Sequence, residues 1–342
     1  MIPATDTKGV SVIICCYNSA RRLPETLKHL ARQIIPESIP WEVIVVVDQA
    51  STDDTAAVVA SVWQQAGAPT LLQVLVEARP GKSVALETGF TIARYGVLVI
   101  VDDDNWLAPD YLERGFHLMC QHPEMGVLGG KITAAFEVEP PAWFQQFQSC
   151  YAVGAQGKIS GDITDYKPHV AGAGMLVRKS AYEKLKQGGF RPVLTGGRRG
   201  NLTAGEDLEL CYALAIFGYR IWYDDTLVLT HFMPRSRLIQ DHLLEMIRRN
   251  RIAGPRQAGY EIALRGGEAG ALKFYLHRVW LLGSWLLKSL LKFLLGRESF
   301  LRLRIAFGDW AQSLFDYGEL RRVMRDDLPR ILRLRENPPI SK

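Results

Sequence analysis

The run Gly96-Val97-Leu98-Val99-Ile100-Val101 ends in three consecutive aspartates, Asp102, Asp103 and Asp104. Five aliphatic residues without alternation read as a strand buried on both faces, which requires a layered α/β architecture. Carboxylates at the C-terminal mouth of such a strand sit where open α/β sheets place their ligands. Residues 102 and 104 share one face of an extended chain, so both can reach one divalent cation. The competing reading is a solvated acidic turn.

The chain around that run alternates in the same way. Val10–Cys16, Glu42–Val47 and Leu71–Val76 read as strands; Ala20–Gln33, Thr55–Gln65 and Gly81–Ala93 read as helices. Such alternation implies a parallel sheet with right-handed crossovers. Beyond Asp104 the rhythm loosens. Pro109–Cys120 looks helical, Gly126–Ala134 strand-like, Val170–Val177 a small-residue strand, and Ser180–Lys186 and Glu206–Phe217 helical. Tyr219–Tyr223 and Leu227–Thr230 read as two short strands, and the last hundred residues as helices after a boundary near Arg235–Gln240.

A hydrophobic fraction of 48% over 342 residues suits a packed core, and the net charge of +5 is concentrated at the end of the chain. From Ala271 onward fourteen Lys/Arg face seven Asp/Glu. Five cysteines without CxxC spacing favour a reducing compartment over a disulfide frame or zinc site. The polar start and the lack of an uncharged apolar stretch of spanning length lead to the expectation of a cytoplasmic protein. Phe274–Leu295 is nonetheless leucine-rich, with Trp280 and Trp285 and with Arg278, Lys288 and Lys292 interspersed, a composition suited to lying in a headgroup region. Residues 274–305 are therefore a candidate surface for the inner face of a membrane; packing on the rest of the protein and dimerisation are the alternatives. The leucines fit lipid or protein better than nucleic acid.

Several motifs have two readings. Gly81-Lys82-Ser83 lacks the earlier glycine of a phosphate loop, since Val76 stands there, but Lys82 suits a diphosphate as a point charge. Gly172-Ala173-Gly174 marks a close backbone approach to a ligand or another chain segment. Glu206-Asp207, after the Gly/Arg-rich stretch Thr195–Gly205, either caps a helix or supplies a general base. His231 reads as a packed histidine or a ligand, and Arg235 and Arg237 beside it suit an anion.

Taken in order, these residues resemble the family 2 glycosyltransferases of the GT-A fold. The resemblance rests on Val10 through Asn18, on Glu42 through Thr55, on Gly81 through Gly89, and on Asp102-Asp103-Asp104-Asn105 with Pro109-Asp110-Tyr111-Leu112. It continues through Gly172–Arg178, Gly205–Leu210 and Gly218–His231. The family's glycine after the second-strand aspartate is absent, Gln49-Ala50 standing there, and Glu87 replaces its usual asparagine.

The resemblance implies a mostly parallel sheet flanked by helices, with a helical C-terminal appendage. Residues 1–237 would be catalytic, about 10–105 for the nucleotide sugar and 106–237 for the acceptor, and 238–342 would form the helical region. It implies an inverting transfer from a nucleotide-diphosphate sugar to a hydroxyl of a glycan or lipid-linked acceptor. Tyr17, Asp48, Lys82 and Asp102 would bind the donor. Asp104, with Asp102 and His231, would hold Mn²⁺ or Mg²⁺, and Asp207 would be the base. Asp103 is expected to tolerate substitution best. A nucleotidyltransferase, or a non-catalytic sugar-nucleotide or lipid-binding protein, is the alternative.

Overall fold

The computed structural model describes residues 7–194, 205–265 and 271–335. The stretch Thr195–Ala204 singled out in the sequence lies outside them. The first half is the alternating unit the aliphatic runs require: β1 (Val10–Cys16), α1 (Leu23–Ala31), β2 (Trp41–Asp48), α2 (Thr55–Gln65), β3 (Leu71–Glu77), α3 (Lys82–Ile92) and β4 (Val97–Val101). The second half runs β5 (Asn105–Leu107), α4 (Tyr111–Gln121), β6 (Met125–Phe136), α5 (Phe144–Phe147), β7 (Gly161–Asp162), β8 (Leu176–Arg178), α6 (Lys179–Gln187), α7 (Glu206–Ile216) and β9 (Arg220–Met233). Then come α8 (Gln240–Leu264), α9 (Ala271–Leu294), α10 (Phe300–Asp326) and α11 (Leu328–Arg333).

Among the described residues the strands form one nine-stranded sheet in the order β3-β2-β1-β4-β8-β6-β9-β5, with β7 against β9. Pairing is parallel from β3 through β4 and mixed beyond, because β8, β5 and β7 join antiparallel. Strand side chains alternate between two layers. Ile13, Ile44, Leu98 and Ile100 face a core shared with α3, α6, α7, α8 and α11. Val12, Ile14, Val45, Val99 and Val101 face a second core beneath α1, α2 and α4.

Three differences from the sequence reading have local causes. Only Leu176–Arg178 of the stretch 170–177 pairs as a strand, because the chain turns at Gly174 (φ +69°) and the Gly172 N–H donates elsewhere. The two short strands expected at 219–230 are one strand, β9. Opposite β6 the register jumps from Gly130↔Asp224 to Lys131↔Val228, so the polar Asp225-Thr226 pair bulges out without ending the strand. β5, immediately after the aspartates, is too short to carry a periodic signal.

The C-terminal helices pack on the sheet domain in part. Ala258, Tyr260 and Ile262 of α8, Leu320 of α10 and Leu328 and Ile331 of α11 lie in the same core as the strands. The outer face of α9 does not: Leu276, Trp280, Leu287, Leu290, Leu291 and Leu294 are all exposed, Leu294 to 71%. No helix among the described residues is long and apolar enough to cross a membrane.

Candidate active site

Two cavities open at the C-terminal ends of the parallel strands. The first, about 250 Å³, is lined by Cys15, Tyr17, Arg22, Asp48, Lys82 and Asp103, among others. Asp48 ends β2 and accepts the Ala50 N–H on Oδ1 at 2.8 Å, while its carbonyl accepts the Ser51 N–H at 2.9 Å. This side-chain turn does what glycine would otherwise do after the strand. Gly81, at φ +118°, opens α3 and aims Lys82 across the sheet mouth, where Nζ lies 2.6 Å from Asp102 Oδ1. Burial opposes the charge on Lys82, but Asp102, Glu206 and Asp207 outweigh it and raise the ammonium's pKa. Lys82 thus feels both acidic groups at once. The Cys15 thiol is pushed up to about 12 by burial, so it is protonated at neutral pH.

The three aspartates diverge. Asp102 faces Lys82, and its N–H donates to Asn105 Oδ1 at 3.0 Å. Asp103 turns inward. It accepts from the Ser19 hydroxyl and from Arg22 through Nε at 3.2 Å and Nη2 at 2.5 Å. Burial raises its pKa, against Arg22. The expected tolerance at Asp103 is therefore corrected: this carboxylate ties the loop after β1 to the loop after β4, a buried pairing with no signature in sequence because its partners lie some eighty residues away.

Asp104 is 1% exposed. Register places Asn105 opposite His231 on β9, which brings His231 Nε2 to 3.4 Å from Asp104 Oδ1. Arg237 Nη2 lies 2.7 Å from Asp104 Oδ2, yet that oxygen receives no well-directed hydrogen bond. Burial works to raise the Asp104 pKa, while the guanidinium groups of Arg237 and Arg22 lower it. The His231 Nδ1 sits 3.1 Å from the Tyr151 carbonyl and can only donate there, which leaves Nε2 to accept from Arg237 Nη1 at 2.9 Å. A buried, ionised carboxylate beside an imidazole fixed through its other nitrogen is a donor pair suited to Mn²⁺ or Mg²⁺. Among the described residues no three His, Cys, Asp or Glu side chains converge into a complete cage. Substrate oxygens would have to finish the shell, as they do where Mg²⁺ is held with phosphates.

The second cavity, about 570 Å³, is lined by Glu206 and Asp207 at the start of α7, by Lys167 and His169, and by Met246, Arg249 and Asn250 of α8. Asp207 Oδ2 accepts the Gly172 N–H at 2.7 Å and Oδ1 the Leu208 N–H at 2.9 Å. A Cβ at Gly172 would stand 3.1 Å from that of Asp207. The expected close backbone approach at Gly172 is thus to this carboxylate. Burial raises the pKa of both Glu206 and Asp207, with Lys82 opposing. Burial drives His169 down to about 4, Lys167 adding to it, so the ring is neutral. Sequence reading missed Lys167, His169 and the α8 residues, which lie in no motif and meet only in the fold.

The glycosyl transferase family 2 model matches residues 11–186. A poly-β-1,6-N-acetyl-D-glucosamine synthase of Staphylococcus epidermidis is 22% identical over 67% of the chain and 51% of its own length. An undecaprenyl-phosphate 4-deoxy-4-formamido-L-arabinose transferase of Salmonella choleraesuis is 26% identical over 33% of the chain and 34% of its own length. The chain thus spans about half the length of the first relative and a third of the second. Among solved structures, S. aureus TarS 1-349 in complex with UDP-GlcNAc superposes with TM-score 0.53 at 14% identity, covering 91% of this chain and 92% of TarS. The mannosyltransferase PcManGT of Pyrobaculum calidifontis, in complex with GDP-Man and Mn²⁺, gives TM-score 0.53 at 18% identity over 98% of this chain and 86% of its own. Both share the GT-A fold seen here. With the family model spanning more than half of its 342 residues, the chain belongs to glycosyl transferase family 2.

Proposed function

We propose that the chain transfers a sugar, with inversion, from a nucleotide-diphosphate sugar to a hydroxyl of a glycan or lipid-linked acceptor. The observation that carries this is Lys82, whose Nζ lies 2.6 Å from Asp102 Oδ1 and whose pKa Glu206 and Asp207 of the second cavity also raise. One ammonium thereby joins the two cavities into a single reaction centre. On this reading Tyr17 and Asp48, which line the first cavity, would meet the nucleoside, and Asp102, beside Lys82, would face the ribose. Asp104 and His231 would hold the divalent cation, which supplies neutralisation of the charge growing on the departing diphosphate.

Asp207, oriented by the Gly172 N–H, takes the proton of the acceptor hydroxyl. The oxygen attacks the anomeric carbon as the carbon–phosphate-oxygen bond breaks on the opposite face. The diphosphate leaves and the proton stays on Asp207 until release. No covalent sugar–enzyme species is needed. On this reading residues 1–237 are the catalytic unit, and 238–342 the helical region that also walls the acceptor cavity.

Thermal shift against a nucleotide-sugar panel, with and without Mn²⁺, tests the donor half. One diphosphate nucleotide should raise the midpoint in a Mn²⁺-dependent manner, and Asp104→Ala should abolish the metal-dependent part. If no nucleotide moves the midpoint, the donor assignment is wrong.

The outer face of α9 is assigned to an anionic membrane surface, with the protein on the cytoplasmic side. Its exposed leucines and Trp280 (65% exposed) lie among Lys273, Lys288, Lys292 and Arg297, and each such cation is worth about 1 kcal/mol near anionic lipid. Deleting residues 271–342 would uncover Tyr260 and Ile262, so paired substitution is the cleaner test. Leu291→Glu with Leu294→Glu should lower sedimentation with phosphatidylglycerol vesicles at least tenfold, leaving the unfolding midpoint unchanged. Unaltered sedimentation would remove α9 as the contact.

A further inference from the structure

Arg237 grips both residues assigned to the cation. After His231 the chain leaves β9 at Pro234 and makes a short turn over Arg235–Arg237, held by the Arg237 N–H on the Pro234 carbonyl at 2.9 Å. The Arg237 carbonyl accepts the Tyr151 hydroxyl at 3.0 Å, which fixes the backbone. From this anchor the side chain folds back. Nη2 lies 2.7 Å from Asp104 Oδ2, and Nη1 donates to His231 Nε2 at 2.9 Å.

A guanidinium here and a divalent cation would use the same oxygen and the same nitrogen lone pair, so the two exclude each other. The grip is also exchangeable. Asp104 Oδ2 receives charge contact without a well-directed hydrogen bond, and the Arg237 side chain is 29% exposed. A released guanidinium is matched by whatever anion arrives with the cation, because its fork fits two phosphate oxygens.

We infer that Arg237 is a placeholder: it occupies the cation position while the donor is absent, then moves onto the donor's diphosphate when metal and nucleotide enter together. The inference rests on the Asp104–His231 cation reading given above. It makes metal binding depend on the nucleotide, and it gives the leaving group a second positive charge from the protein itself. Arg237 is then a residue that touches substrate as well as a guard on the empty site.

Two measurements on the full chain test it without reference to turnover. The first is Mn²⁺ alone, followed by electron paramagnetic resonance of the free ion. Arg237→Gln should tighten Mn²⁺ binding roughly tenfold, the scale of one charge-assisted contact. Arg237→Lys, whose single ammonium does not fork across both partners, should fall between that variant and the parent. The second is inorganic pyrophosphate at saturating Mn²⁺, read by thermal shift. Arg237→Gln should lose roughly tenfold in affinity, and Arg237→Lys less.

Unchanged Mn²⁺ affinity in a folded Arg237→Gln protein overturns the placeholder while leaving the cation site standing. Unchanged pyrophosphate affinity overturns the move onto the diphosphate. If parent and variants all fail to bind Mn²⁺, even with pyrophosphate added, the cation reading falls and the inference with it.

Discussion

Asp207→Asn is expected to reduce transfer by about 10²–10⁴-fold, the usual contribution of a positioned general base, while donor binding is retained. The amide keeps an oxygen for the Gly172 N–H, which Asp207 Oδ2 now accepts at 2.7 Å, so the loop keeps its anchor. It loses the ability to take a proton and the bond that Oδ1 accepts from the adjacent Leu208 N–H. Single-turnover transfer and nucleotide-sugar binding, measured on one preparation, separate the two effects. Full activity would remove Asp207 from the role.

The pH dependence of kcat/KM gives a second view of the same group. Burial raises the pKa of both Glu206 and Asp207, and the base works only when deprotonated. Activity should therefore rise with pH through an apparent pKa above the ordinary carboxylate range, and this limb belongs to the pair. Asp207→Asn should flatten it.

The second large effect is on stability. Asp103→Ala should cost about 1–3 kcal/mol, the range for leaving hydrogen-bond partners unsatisfied, since the Arg22 side chain is 30% exposed. It strands Arg22, whose guanidinium donates to Asp103 through Nε and Nη2, and it removes the acceptor of the Ser19 hydroxyl. The linkage is tight, since the Ser19 N–H also donates to Thr55 Oγ1 at 2.9 Å and the Ala20 N–H to Asp53 Oδ2 at 3.0 Å. Losing Asp103 thus loosens the loops after β1 and β2 together. Urea denaturation of Asp103→Ala against Asp102→Ala tests this directly. A loss at Asp103 no larger than that at the more exposed Asp102 would show that the clamp contributes nothing.

The strands were readable where burial is two-sided. β1 and β4 begin and end where their apolar runs do, because both are packed on both faces; the polar Ser11 of β1 is buried against Glu42. Readability failed where backbone groups are spent on side chains. Residues 170–175 look like a strand, yet the Gly172 N–H goes to Asp207. Asp224 to Thr226 look like a break, yet Asp224 stays paired with Gly130 and a bulge absorbs Asp225-Thr226. At the site, residues within motifs stood out by residue type. Arg22, Lys167, His169 and Arg249 did not, because a lone basic residue on a helix or loop carries no pattern until the fold supplies its neighbour. Asp103 shows the converse: adjacency to two candidate site residues hid a packing role.

α8 forms one wall of the 570 Å³ cavity through Met246, Arg249 and Asn250, while the donor cavity draws its lining from residues 15 to 103. If these cavities take acceptor and donor as proposed, the α8 wall that would face the recipient lies more than a hundred residues beyond the last residue lining the donor side. On the proposed reading, exchange of α8 alone between relatives would alter that wall while His231 and Arg237, which precede it, stay in place. A change of recipient could then arise in one helix without a compensating change at the donor.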